Sequence, residues 1–97
     1  MKTTVKILTD ARALIADEND WWPGLERGGP PTLGKNCALH ALGRISARIP
    51  IDFSRGDAYN VLFKLSGNSV AAFNDTHTHA EVLALFDRAI KVAQEAA

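Results

Sequence analysis

The sequence predicts an all-α domain of about four helices, with a long Gly/Pro/Trp loop between helices one and two. Three observations predict it. Apolar residues recur at helical spacing in several segments, capping and stop residues punctuate those segments, and the one strand-like stretch, "SVAAF" (Ser69–Phe73), has no second strand to pair with.

The first helix lies in "TTVKILTDARALIADE". Ile7, Leu8, Ala11, Leu14 and Ile15 fall on one stripe, with Lys6, Asp10 and Asp17 opposite, and Thr3 or Thr4 is placed to cap the start. The pattern ends in "NDWWPGLERGGPPTLGK", whose four glycines and three prolines disfavour a helix or a central strand. A loop of about 15 residues is long for a small domain, and such loops are either functional or held down by their own side chains. Trp21 and Trp22 are the obvious anchors: one is expected to fold onto the core and one to face a partner.

The second helix starts near Asn36 or Cys37. Ala38, Ala41, Leu42, Ile45 and Ile49 form its buried stripe, with His40, Arg44, Ser46 and Arg48 toward the other side, and Pro50 ends it. The third opens at "SRGD", with Ser54 and Asp57 as a capping box, and stops at Gly67. "SVAAF" follows as a short strand or an extended connection. The last helix is announced by a second capping box, Thr78 with Glu81. Val82, Leu83, Leu85, Phe86, Ala89, Ile90 and Ala93 mark its inner face, and Asp87, Arg88, Lys91 and Glu95 its outer one.

The totals narrow the function classes. Ninety-seven residues, 46% of them hydrophobic and 23% charged, suit one globular domain spanning 1–97. Eleven basic and eleven acidic residues cancel, so nucleic-acid or membrane binding would need a local patch. The single cysteine forbids an internal disulfide, the charged N-terminal stretch is unlike a signal peptide, and no apolar run is long enough for a membrane span. The expectation is a cytoplasmic protein.

Chemistry-bearing residues are few. Cys37 falls at a helix start, where backbone N–H groups favour an anion and hence a thiolate. A cysteine hydrolase or transferase also needs a base within hydrogen-bond reach. His77 and His79 are the downstream candidates; His79 is the better placed, with Asp75 as an orienting group. A metal site drawing on Cys37, His40, His77 and His79 is set aside because His40 points with Arg44 to the polar face, and no metal or other cofactor is expected. The "RGD" at Arg55–Asp57 sits in a helix start and reads as chance. Lys35, Arg44, Arg48 and Arg55, with His40, make the middle of the chain basic, a surface for an acidic protein or for nucleic acid. The link "IPIDFS" is too long for a helix-turn-helix.

Two resemblances bear on these residues. "GKNCALHAL" is similar, over fewer than ten residues, to the nucleophile segment of ovarian-tumour-type deubiquitinases. That similarity reads as coincidence, because those enzymes are larger α/β domains whose histidine is placed by a sheet. From the tryptophans to Ile90 the chain resembles domain of unknown function 6197, a bacterial and phage family. "WWPG" matches an early Trp-x-x-Gly-like segment, and Cys37, Ala41 and Leu42 match a Trp-Cys-x-x-Gly-Ala-Leu segment. Phe73, Asn74, Asp75, Thr78, Glu81 and Val82 match an aromatic-Asn-Asp block followed by Thr-x-x-Glu-Val. Asn36 stands where the family has tryptophan and His40 where it has glycine, so a site needing His40 would be peculiar to this chain. The resemblance implies no reaction, substrate or cofactor. It implies that Cys37 and the Asn74–Asp75 pair belong to one structural unit; if the second helix packs on the last, side-chain hydrogen bonds of the pair are placed to pin the loop before Cys37.

The expected function is therefore binding of another protein, as a bacterial or phage accessory factor, through Trp21, Trp22, His40, Arg44 and Arg48. Asn74, Asp75, Thr78 and Glu81 are read as structural. The rival is a cysteine-dependent enzyme using Cys37, His79 and Asp75, and the third reading is nucleic-acid binding by the basic patch.

Overall fold

A computed structural model describes residues 2–48 and 53–95 of the chain. Its elements are α1 (Lys2–Leu14), a single 3-10 turn (Glu18–Asp20), the one-turn α2 (Leu25–Gly28), α3 (Ala38–Ser46), α4 (Phe53–Leu65), α5 (Val70–Thr76) and α6 (His79–Glu95). Among the described residues there is no strand, only an isolated parallel bridge between Trp21 and Asn36. No helix among them is long and apolar enough to cross a membrane.

The hub is α1. Its stripe residues Ile7, Leu8, Ala11 and Ile15 are fully buried, because α1 packs against α3, α4 and α6 at once. Around it lie Ala38, Ala41, Leu42 and Ile45 of α3, Ala58 and Leu62 of α4, and Val82, Leu85, Phe86, Ala89 and Ala93 of α6. Six of these core positions are alanine, counting Ala11. Small side chains at the crossings let helix axes approach closely, while Phe86 and Leu85 fill the volume between them.

Helix ends are where sequence and structure part. Backbone at Lys2 is already helical, so Thr3 and Thr4 lie in the first turn and cap nothing; Thr4 is buried instead. α3 stops at Ser46, ahead of Pro50, and Pro50 and Ile49 lie outside the described residues. Ser46 is buried, which widens the inner face of α3 beyond its apolar stripe. α4 is helical from Phe53, so Ser54 is not its first flanking residue; the side chain of Ser54 lies outside the described residues. Its C-terminus is conventional: Gly67 adopts φ +81° and the Asn68 N–H donates to the Phe63 carbonyl at 3.0 Å.

"SVAAF" is neither strand nor extended connection. Ser69 caps α5, its Oγ accepting the Ala72 N–H at 3.1 Å, and Val70–Thr76 make two turns. Seven residues are too few to display a 3.6-residue period, and β-branched Val70 beside Phe73 mimics a strand. The helix forms because Val70 and Asn74, one turn apart, are both drawn into the interior. α2 is likewise a single turn within the stretch where glycine and proline disfavour helix.

At the start of α6 the capping box closes in both directions. The Thr78 N–H donates to Glu81 Oε1 at 2.9 Å, and the Glu81 N–H donates to Thr78 Oγ1 at 3.2 Å. The Thr78 backbone N–H and then its hydroxyl hold the Glu81 carboxyl below its ordinary value of 4.5; desolvation opposes them, and the nearby His77 adds a lesser pull in the same direction as Thr78. A carboxyl depressed on folding contributes stability above that ordinary value and loses it as pH falls through the folded one. Thr78→Ala is expected to cost about 1 kcal/mol. Glu81→Gln should flatten the acid limb of a melting-temperature profile below pH 4.5; identical profiles for wild type and Glu81→Gln would show that the box contributes nothing to acid stability.

Candidate binding face

The long connection from α1 to α3 is tied off at its neck. The Asn36 N–H donates to the Asp20 carbonyl at 2.9 Å, and the Trp22 N–H donates to the Asn36 carbonyl at 3.0 Å. These two bonds make the lone bridge and leave the segment between them as a closed loop.

One buried side chain holds that neck against the helices. Asn74 of α5 is fully buried and uses both ends of its amide. Its Oδ1 accepts from the Trp21 indole N–H at 2.7 Å and from the Ala38 N–H at 2.9 Å. Its Nδ2 donates to the Trp22 carbonyl at 3.0 Å and to Asp75 Oδ1 at 3.1 Å. Ala38 opens α3, so its N–H has no partner within that helix, and Asn74 supplies one from another helix. Cys37 supplies the second: it is the N-cap residue, and its sulfur accepts the His40 N–H at 3.4 Å.

The remaining loop contacts follow from this peg. Gly24, at φ +98°, lies so close to Asp75 that a β-carbon there would sit 2.6 Å from Cγ of that carboxylate. Arg27 donates to the Asn74 carbonyl at 2.8 Å and lies 5.6 Å from the centre of the Trp21 ring, a cation–π distance. The Trp22 indole N–H donates to the Gly29 carbonyl at 3.0 Å. Trp21 is buried and Trp22 half-buried, so the wet side of the loop is carried by other residues.

Those residues line an open groove of about 570 Å³ between the second half of the loop and α3. Leu39, Gly43 and Ala47 give it an apolar floor, Leu33 stands at its rim, and Lys35, His40 and Arg44 give it cationic edges. Among the described residues no carboxylate lines it. Leu33 is 100% exposed at the loop's outer turn, an unusual place for a leucine. Among the described residues only two ion pairs occur, Lys6–Asp10 and Arg12–Asp87, so Lys35, Arg44 and Arg48 have no carboxylate partner there. The groove volume is in the range of small ligand sites.

The residues of the catalytic alternative are placed differently. Cys37 is buried, its sulfur turned to its own helix. His79 lies against Trp21, ring centres 5.4 Å apart, and its Nε2–H donates to the Ile15 carbonyl at 2.6 Å, closing the C-terminal end of α1. The Asp75 carboxylate is bonded to Asn74. No hydrogen bond among the described residues joins Cys37, His79 and Asp75 to one another as a nucleophile–base–orienter set would require. His77 stacks on Phe73 with ring centres 3.7 Å apart, and its Nδ1–H donates to the Phe73 carbonyl at 2.8 Å. Among the described residues no three His, Cys, Asp or Glu side chains gather as a metal site.

Sequence reasoning gave Arg27, Leu33, Leu39 and Gly43 no role. For Gly43 a signal existed, a glycine inside an otherwise good helix, but for Arg27 none did, since its partner is 47 positions away.

A family model described as "Family of unknown function (DUF6197)" matches residues 1–92, and the chain belongs to that family. No curated protein and no solved structure matches it.

Removing the peg would strand the Trp21 indole N–H, the Ala38 N–H and the Trp22 carbonyl. Asn74→Ala is expected to cost about 3–5 kcal/mol in denaturant unfolding, at roughly 1–3 kcal/mol for each stranded buried group with partial relaxation. A loss under about 1 kcal/mol would mean that the loop is held some other way. The Cys37 thiol should react with iodoacetamide only as fast as the protein opens. Rapid native alkylation well below about pH 8, slowed by His79→Ala, would instead restore the nucleophile reading.

Proposed function

We propose that this DUF6197 protein is a binding module that holds another protein against the face made by the second half of the loop and α3. The observation that carries this reading is the groove: an apolar floor edged by Lys35, His40 and Arg44, with no carboxylate lining it among the described residues, on a chain whose net charge is zero. Apolar surface beside cations with no carboxylate partner among the described residues favours a complementary cover, and arginine is enriched where proteins meet.

Two further features support it. The loop neck is fixed by buried hydrogen bonds, so the groove wall is ordered before a partner arrives and less entropy is lost on association. Arg48, exposed one turn beyond Arg44, extends the cationic edge. On this reading Trp21 acts from beneath, as the buried support of the loop, and Trp22 braces its first half. The chain then works as a small cytoplasmic accessory factor of a bacterium or phage, with no chemistry of its own.

Replacing both Arg44 and Arg48 by alanine is expected to weaken capture of the partner at least about tenfold, in line with the loss of interfacial arginines. The melting temperature should fall by no more than about 2 °C, since both side chains are exposed and Arg44 gives up only a long hydrogen bond, 3.5 Å, to Asn36 Oδ1. Undiminished capture by the double variant would remove this face from consideration.

A further inference from the structure

The outer face of α3, continued by the turn at Ala47 and Arg48, is built as two parallel rows. Leu39, Gly43 and Ala47 recur every fourth residue, and His40, Arg44 and Arg48 run beside them one position on. The first row is the groove floor and the second is its edge, with Lys35 of the loop across from them. From Leu39 to Ala47 the floor is about 12 Å long, two turns of helix.

Gly43 is the informative residue. It is exposed in the middle of α3, its backbone is helical, and a β-carbon built on it would meet nothing within 4 Å. Nothing in this chain's own packing requires a glycine there, and glycine weakens a helix interior relative to alanine. What its missing side chain provides is a gap in an i, i+4 row, the shape into which a ridge of side chains on a second helix fits. The groove also offers no strand edge: the α3 backbone groups are consumed within the helix, so an occupant must satisfy its own backbone.

Resting on the reading that this face binds protein, we infer that the groove takes an acidic amphipathic helix of the partner. Its apolar residues cross α3 at Gly43 and Ala47 against Leu39 and Leu33, and its carboxylates meet Lys35, His40, Arg44 and Arg48. Charge complementarity sets the sign of the partner. Its class follows from the floor, because Leu39, Gly43 and Ala47 offer apolar area that the apolar side of a helix covers and a phosphate backbone does not.

The test is selection of randomised peptides of about 16 residues, long enough for four turns, displayed against the folded full-length chain. Affinities of the selected peptides are then measured for wild type, for Gly43→Leu and for the Arg44→Ala/Arg48→Ala double variant. Gly43→Leu fills the gap without touching the core, so its melting temperature should be unchanged or slightly raised. The expected peptides are rich in Asp and Glu, carry apolar residues at i, i+3 or i+4 and i+7, gain helical circular dichroism on binding, and lose at least about tenfold in affinity to Gly43→Leu.

Acidic peptides that bind Gly43→Leu as well as wild type would overturn the seat in the groove. If those peptides still weaken with the double arginine variant, the binding face itself stands. Selection of neutral or basic peptides, or of none, overturns the inference. A fluorescent random-sequence oligonucleotide that displaces the peptides, with an affinity falling steeply with salt, would overturn both this inference and the protein-binding reading.

Discussion

The buried amide of Asn74 is the constraint on which the rest of this molecule depends. A lone asparagine in an apolar interior is costly unless every valence is met, and here each one is met by a different piece of chain. The indole of Trp21, the first turn of α3, the carbonyl of Trp22 and the neighbouring Asp75 converge on one side chain. Because the donors and acceptors are fixed in direction, the amide specifies geometry where hydrophobic burial alone would not. It sets where the loop leaves α1, and with it where the loop's far half stands relative to α3. The groove is thus a consequence of a hydrogen-bonding problem solved about one helix diameter away.

Packing and polarity divide the work cleanly. The interior is an apolar cluster around α1, closed by alanines at the crossings and by Phe86 in the centre. The polar devices sit at helix ends: Thr78 with Glu81 at the start of α6, Cys37 and Asn74 at the start of α3, Ser69 at the start of α5, and His79 at the end of α1. Three of these are local and two come from distant chain. In the distant cases a tertiary contact does what a capping residue ordinarily does, so helix formation and assembly are coupled.

That distinction also explains what could be read in the sequence. α1 and α6 are long and strongly amphipathic, and their inner faces were legible residue by residue. The Thr78–Glu81 box was legible because its partners are three residues apart. α5 was not, since its seven residues carry no period and its helix is held by Asn74. The candidate site was legible in its cations, which cluster in sequence, and in Asn74, marked by its place in a family block. It was not legible in the floor and its rim. Leu39 and Leu33 belong to different elements, and their closeness exists only once the loop neck is closed. His79 shows the same limit: its ring looked available for chemistry, yet the carbonyl that occupies it lies 64 positions earlier.

The groove has an electrical side as well. From Arg27 to Ile51 the chain carries four basic residues and no acidic one, while Asp17, Glu18 and Asp20 crowd the stretch just before. With the totals balanced, the charges are segregated along the sequence, and the closed loop neck brings the two runs side by side where Lys35 borders Glu18. On the proposed reading, an anionic surface would feel the α3 cations only once it faces them within the distance that salt leaves unscreened, about 8–10 Å at physiological ionic strength. Encounter would then be selective in orientation while remaining indifferent to net charge, a way for a neutral protein to avoid polyanions in bulk and still present one face first.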